Sequence, residues 1–263
     1  MVLGVGYHGA DYAGWQAQPH LSVNTVQGTL EAALGSVAAK PVSTVCAGRT
    51  DTGVHGIGQV VHFDAPCARS QKAWVMGTNR NLPPSVRVNW AVVSTGDFHA
   101  RFSALSRRYR YIIANTPVLS PHLAGLVTHY RRPLDVSMMQ QASQVLVGEQ
   151  DFSAFRAAQC QAAHAVRDIK SVTVQRHGDL VTLEVEANAF LYHMVRNLAG
   201  ALLLVGAGLR PANWVRELLD CKDRTKGADT ASASGLYLLD VTYPQDFGLP
   251  SVLSDYPLLG GLG

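Results

Sequence analysis

Cysteine and charge are both scarce in this chain. Among 263 residues there are four cysteines, Cys46, Cys67, Cys160 and Cys221, and no two form a Cys-x-x-Cys pair. That spacing excludes a zinc knuckle and a disulfide framework, and it reads as reduced thiols of a cytoplasmic protein. Charged residues make up 16% and the net charge is +3. Such a balance does not by itself mark a nucleic-acid binder, so the position of the charges matters more than their total. Long apolar runs are also missing. The greasiest stretch, residues 198–209, is short and holds three glycines, so no membrane span is expected. The N-terminus has no basic segment leading into an apolar one, so no signal peptide is expected. There is no Gly-x-Ser-x-Gly elbow and no Gly-Lys-Ser/Thr phosphate loop, which weakens acyl-transfer and nucleotide-hydrolysis readings.

What the chain does have is 47% hydrophobic residues, enough to bury a full core in one large domain or two small ones. Periodicity predicts a strand over 2–7. A helix follows, capped by Asn24 or Thr25, with Val26, Leu30, Ala33, Leu34 and Val37 on one face and Pro41 as its stop. Strands are expected at 42–46 and 57–63, a helix at 71–79, and a strand in which Val86, Val88, Trp90 and Val92 alternate. Residues 96–105 read as a linker. Beyond it come a strand at 108–115, a helix at 136–147 and a hairpin of 169–175 and 180–186 around Arg176-His177-Gly178-Asp179. Helices at 191–205 and 212–221 and a strand at 236–243 complete the pattern. The two halves share an element order, which predicts an α+β protein of two domains, 1–103 and 104–263, with their sheets side by side. Gly4-Val5-Gly6-Tyr7-His8-Gly9 satisfies the dinucleotide-binding fingerprint, but no helical pattern follows it, so a plain turn is expected there.

The most informative segment is Ala47-Gly48-Arg49-Thr50-Asp51-Thr52-Gly53-Val54-His55-Gly56. Its glycines allow sharp turns and close approach of a ligand. It offers one carboxylate, with a guanidinium two residues away able to hold it ionised. Taken alone, such a loop is more often a surface turn with a local ion pair. Arg101, Arg107, Arg108 and Arg110 alternate with Phe102, Tyr109 and Tyr111, a pattern that suits phosphate contact with base stacking and equally suits an exposed strand face. His193 and Arg196 lie three apart on a predicted helix and share a face there, either in solvent or at a site. Asp51, His55 and His62 have no recognisable metal-ligand spacing, and no metal site is expected.

Further segments stand in order along the chain: Tyr12-Ala13-Gly14-Trp15-Gln16, Phe98-His99-Ala100-Arg101-Phe102-Ser103-Ala104, Arg107-Arg108-Tyr109-Arg110-Tyr111, Asp151-Phe152-Ser153-Ala154-Phe155, Phe190 to Asn197, and Gly235-Leu236-Tyr237-Leu238. Together with the Asp51 loop they resemble the TruA family of tRNA pseudouridine synthases, from about Gly4 to Pro244. The resemblance implies the pseudouridine synthase fold, two similar ferredoxin-like α/β-sandwich halves with mainly antiparallel sheets and a cleft between them. It implies an isomerase that turns uridine into pseudouridine in the anticodon stem-loop of tRNA, at positions 38, 39 and 40, without a cofactor and as a homodimer. It makes Asp51 the catalytic residue. Tyr109, Arg49, Arg196 and Leu236 become substrate-binding, with Arg196 set against Asp51, and Arg107, Arg110 and His193 become RNA contacts. Two positions depart from the family pattern: Thr52 stands where alanine is usual and His8 where aspartate is common. A silent RNA-binding module and a uracil-releasing hydrolase are the competing classes. The first conflicts with an intact Asp51, Arg49, Tyr109 and Arg196, and the second with the lack of a second acid in the loop.

Overall fold

Thr25 caps a helix as its hydroxyl allows: its Oγ1 accepts the Gly28 N–H at 3.2 Å, satisfying one of the free amides of the first turn. Ser70 does the same for the next helix, accepting from Ala73 at 3.1 Å. The computed structural model describes residues 1–18, 20–94 and 96–250. In chain order the elements are β1 (Val2–Tyr7), α1 (Val26–Ala38), β2 (Val45–Cys46), β3 (His55–His62), α2 (Gln71–Asn81), β4 (Val86–Val92), β5 (Ser106–Ala114) and β6 (Thr128–His129). They continue with α3 (Val136–Ser143), β7 (Gly148–Asp151), β8 (Val166–His177), β9 (Leu180–Ala187), α4 (Met194–Gly206), α5 (Trp214–Cys221) and β10 (Leu236–Thr242). The α+β class expected from the periodicity is what these elements form, with mainly antiparallel strands.

The chain divides into two units. One holds Met1–Arg107 and the chain from Tyr237 onward, and the other holds Arg108–Leu236. The expected second domain, 104–263, differs in two ways. Its last residues, 251–263, lie outside the described ones, and its final strand returns to the first unit. There β10 pairs parallel with β3, Tyr237 opposite His55. A parallel pair needs a long crossover, and here almost the whole second unit lies between its strands.

In the first unit the strand order is β4-β1-β3-β10, with β2 beside β3. Both faces of β1 are buried. Leu3, Val5 and Tyr7 pack with Val26, Leu30, Leu34 and Trp74 from α1 and α2. The expected alternation along β4 holds for Val86 and Val88 and then fails, because Ala91 is buried while Trp90 and Val92 are half-exposed. The cause is a bulge. Val5 faces Val88 and Gly4 faces Trp90, which leaves Asn89 opposite no residue of β1, and one extra residue swaps the faces of everything after it. The Trp90 ring lies over Gly4, where a side chain would collide with it. Of the fingerprint-like glycines, Gly4 therefore serves strand packing, and Gly9 lies beyond β1 against the Val54 backbone.

In the second unit the order is β5-β9-β8-β7, with β6 beside β5. The hairpin turn is shorter than expected, only Gly178-Asp179, because His177 pairs with Leu180 and Gly178 takes φ +59°, as a tight two-residue turn requires. The helix expected from residue 191 starts at Met194. The expected 136–147 helix ends at Ser143 and continues as a 3-10 turn, Gln144–Leu146. Met139, Phe152, Phe155, Ile169, Leu183 and Leu198 form the buried interior of this unit.

Burial also sets the alkaline limit of the fold. It raises the Tyr111 hydroxyl from 10.0 to about 12, against the opposing hydrogen bond to Thr128, and the Cys46 thiol from 9.0 to about 11. Tyr237 and Tyr243 are raised by the same cause. Between the unfolded and folded values the unfolded chain binds fewer protons, so stability falls as pH rises. Each two-unit shift is equivalent to about 3 kcal/mol at most. Urea midpoints are expected to be flat between about pH 7 and pH 8.5 and to drop steeply above about pH 9. A midpoint at about pH 11 equal to that at neutrality would contradict this account.

Candidate active site

Asp51 sits in the connection between β2 and β3, and that connection is held by its backbone. Gln59, fully buried in β3, donates from Nε2 to the Gly48 carbonyl at 2.7 Å and accepts the Gly48 N–H at 3.4 Å. The Tyr7 hydroxyl bonds Thr50 Oγ1 at 2.8 Å. On the other side the Tyr12–Trp15 segment lies across the loop. Trp15 N–H donates to the Thr50 carbonyl at 2.9 Å, and Gly53 N–H to that of Tyr12 at 3.4 Å. Gly14 adopts φ +93°, and a side chain there would stand 2.8 Å from the Thr50 oxygen. Only glycine combines that torsion with that approach. The turn closes with Val54 N–H donating to the Asp51 carbonyl at 3.1 Å. Thr50 and Val54 are buried while Asp51 between them is partly exposed.

His55 anchors the far end of the loop. It is buried, and its Nδ1 accepts the Gly9 N–H at 3.1 Å, which places the proton of a neutral ring on Nε2. Its ring stacks on Tyr237 with centroids 4.5 Å apart, and the His8 ring is 4.7 Å away. Arg49 is exposed. Among the described residues no three His, Cys, Asp or Glu side chains converge as a metal set.

The second unit holds Tyr109, Arg110, His193, Arg196 and Leu236, whereas Arg107 is the last residue of the first unit's leading segment. Tyr109 on β5 is buried, edge-on to Phe190 with centroids 5.0 Å apart. Tyr111 shares its face, and the Tyr111 hydroxyl donates to the Ser232 carbonyl at 2.9 Å. Arg196 on α4 donates from Nε to the Ala231 carbonyl at 2.8 Å, which fixes the stem of its side chain. Leu236 is buried. His193 corrects the expected shared helical face. It is the N-cap of α4 with φ +60°, so it lies outside the helix, and its ring stacks on Tyr192 at 3.9 Å.

Two expected RNA contacts are not placed to meet phosphate. Arg107 is 9% exposed and Arg110 5%. Arg107 donates to the carbonyls of Arg101 at 2.6 Å, Ala47 at 3.0 Å and Ala104 at 3.3 Å. Arg110 forms an ion pair with Glu184 on β9. A desolvated guanidinium requires such partners, and neighbouring backbone and Glu184 supply them. Reading the sequence missed Gln59, Tyr7 and His55 as supports of the loop. A polar Gln59 within the apolar strand was the available signal.

The Asp51 carboxylate is thus displayed on a glycine-dependent turn that is hydrogen-bonded on both sides. The chain belongs to the tRNA pseudouridine synthase family, whose model matches residues 5–103 and 142–244. It is 54% identical over 250 residues to tRNA pseudouridine synthase A of Tolumonas auensis, covering 95% of each chain. To the protein of that name from Pseudomonas aeruginosa it is 52% identical over 262 residues, covering 100% of this chain and 92% of the other. It is therefore an isomerase of uridine in tRNA. The matched stretches contain Asp51, Arg49, Arg196 and Leu236, whereas Tyr109 lies between them.

Gly14→Ala is expected to displace the Asp51 loop, costing about 1–3 kcal/mol of stability and most of the turnover. Wild-type stability and rate in the variant would refute the close approach to Thr50. Arg110→Ala is expected to destabilise the protein towards the low end of the ~3–5 kcal/mol typical of a broken buried pair, because Glu184 keeps some solvent. The salt dependence of its tRNA binding should stay unchanged, and a shallower salt slope would return Arg110 to the RNA-contact class.

Proposed function

We propose that the chain isomerises uridines at positions 38, 39 and 40 of the tRNA anticodon stem-loop, with Asp51 as the catalytic carboxylate. The observation that carries this reading is the Asp51 loop, pinned on both sides and lying in a matched family segment. In the reaction the bond from C1′ to N1 breaks and one from C1′ to C5 forms. C5 loses a proton and N1 gains one, so atoms balance and no redox partner is needed. A carboxylate can start this by attacking C1′, by adding to the uracil ring or by taking the C2′ proton, and each route begins at Asp51. Arg196 pairs with Asp51 and favours its ionised form. Tyr109 stacks on the flipped uracil and accepts the C5 proton. Arg49 holds open the helix that the base has left. Leu236 keeps water from an activated C1′. His193 contacts the RNA. The protein works in the cytoplasm as a homodimer whose tRNA crosses both subunits.

The test uses tRNA tritiated at uridine C5. Wild type should release tritium without free uracil. Asp51→Asn, which keeps the shape but not the charge, should release none while binding tRNA within about a few-fold of wild type. Free uracil would point to hydrolysis. Single-turnover release by Asp51→Asn near the wild-type rate would remove Asp51 from the mechanism.

A further inference from the structure

The turn after β4 is tightly held and buries Phe98, yet it presents a second phenyl ring to solvent. The Tyr243 hydroxyl donates to the Ala100 carbonyl at 2.6 Å, and Ala100 N–H donates to His62 Nδ1 at 3.1 Å. His99 and Ser103 close the turn, with His99 N–H on Ser103 Oγ at 3.0 Å and Ser103 N–H on the His99 carbonyl at 2.9 Å. His99 Nδ1 also accepts the N–H groups of Arg101 and Phe102, both at 3.2 Å. Out of this frame Phe102 projects 74% exposed. The His99 ring stacks on it at 4.3 Å, and the Arg101 guanidinium lies 5.5 Å from its centroid.

This turn adjoins the Asp51 loop. One nitrogen of Arg107 donates both to the Arg101 carbonyl and to that of Ala47, the residue before Gly48. Arg49 and Arg101 both lie close enough to Cys46 for their charges to oppose the rise of its thiol. Arg49 and Arg101 are exposed, and from Phe98 to Ile113 the chain has no acidic residue. A rigid aromatic ring beside cations suits one class of partner, a single-stranded nucleic acid, whose bases stack on the ring while its phosphates meet the cations. A neutral protein surface would make no use of the cationic flank.

We infer that Phe102 and Arg101 form a single-strand RNA site, Phe102 stacking on an unpaired base and Arg101 meeting the adjoining phosphate, next to the nucleotide presented to Asp51. The site rests on the reading of the chain as acting on a tRNA loop, and it adds the residues that grip the strand beside the reacting base.

The experiment measures binding of an unmodified tRNA transcript at two salt concentrations, beside a fully paired RNA hairpin of similar length. Phe102→Ala should weaken tRNA binding by about ten-fold, within the range of one lost stacking contact, and leave the paired hairpin unchanged. Phe102→Trp should stay within about two-fold of wild type, because it keeps a stacking face. Arg101→Gln should lower the salt slope by about one. Unfolding midpoints should match wild type, since the Phe102 ring is exposed. Equal tRNA affinity for Phe102→Ala and wild type, or equal losses on tRNA and hairpin, overturns the site. A change of oligomeric state in Phe102→Ala by light scattering also overturns it, in favour of a contact between copies. Pseudouridine is assayed in the same samples. Wild type that makes none while Phe102→Ala loses tRNA affinity sinks the isomerase reading and keeps the site. Wild type that makes it while Phe102→Ala binds normally does the reverse.

Discussion

The hydrogen-bonded hold on the Gly48–Val54 backbone is the constraint on which the rest depends. A carboxylate does useful chemistry only if it is already placed when its substrate arrives, because reorganisation at that moment would raise the barrier. Aspartate has a short side chain, so fixing its backbone fixes most of its position. Gln59 holds one end of the loop through Gly48, Tyr12 to Trp15 lies along its middle, and His55 secures its exit. This explains why the Tyr12–Gln16 segment and the Asp51 loop occur together. The φ +93° of Gly14 exists to let one pass against the other.

The distribution of charge follows from the same economy. Guanidiniums that look like RNA contacts in the sequence are partly consumed inside the fold. Arg107 ties the residue before the loop to the turn carrying Phe102, and Arg110 is matched by Glu184. Buried cations need such partners more than exposed ones do. Arg49 and Arg101 remain exposed, where they can meet an anionic strand. A net charge of +3 is therefore compatible with RNA binding, because position decides and not the sum.

His193 shows how local conformation and site geometry meet. A non-glycine residue at φ +60° is uncommon, and here it completes the turn closed by Met194 N–H on the Leu191 carbonyl and starts α4, the helix that carries Arg196. Arg196 is then held by reciprocal contacts with Ala231, side chain to carbonyl and amide to carbonyl.

Much of this was legible in the amino-acid order, and the physical reason is locality. The Thr25 cap, the β1 strand, the existence of the five helices among the described residues and the glycine-flanked Asp51 loop depend on neighbours a few residues apart, so spacing and side-chain type were enough. The family motifs added the expectation that Asp51 is the catalytic residue. Tertiary structure alone decided the rest. The return of β10 to β3, the bulge at Asn89 that ends the alternation along β4, and the burial of Arg107 and Arg110 each depend on partners remote in sequence. Arg107 meets Ala47 across 60 positions and Tyr243 meets Ala100 across 143. No local period encodes such pairings. Whether an arginine becomes an internal brace or an exposed cation is settled by which distant chain comes to lie over it.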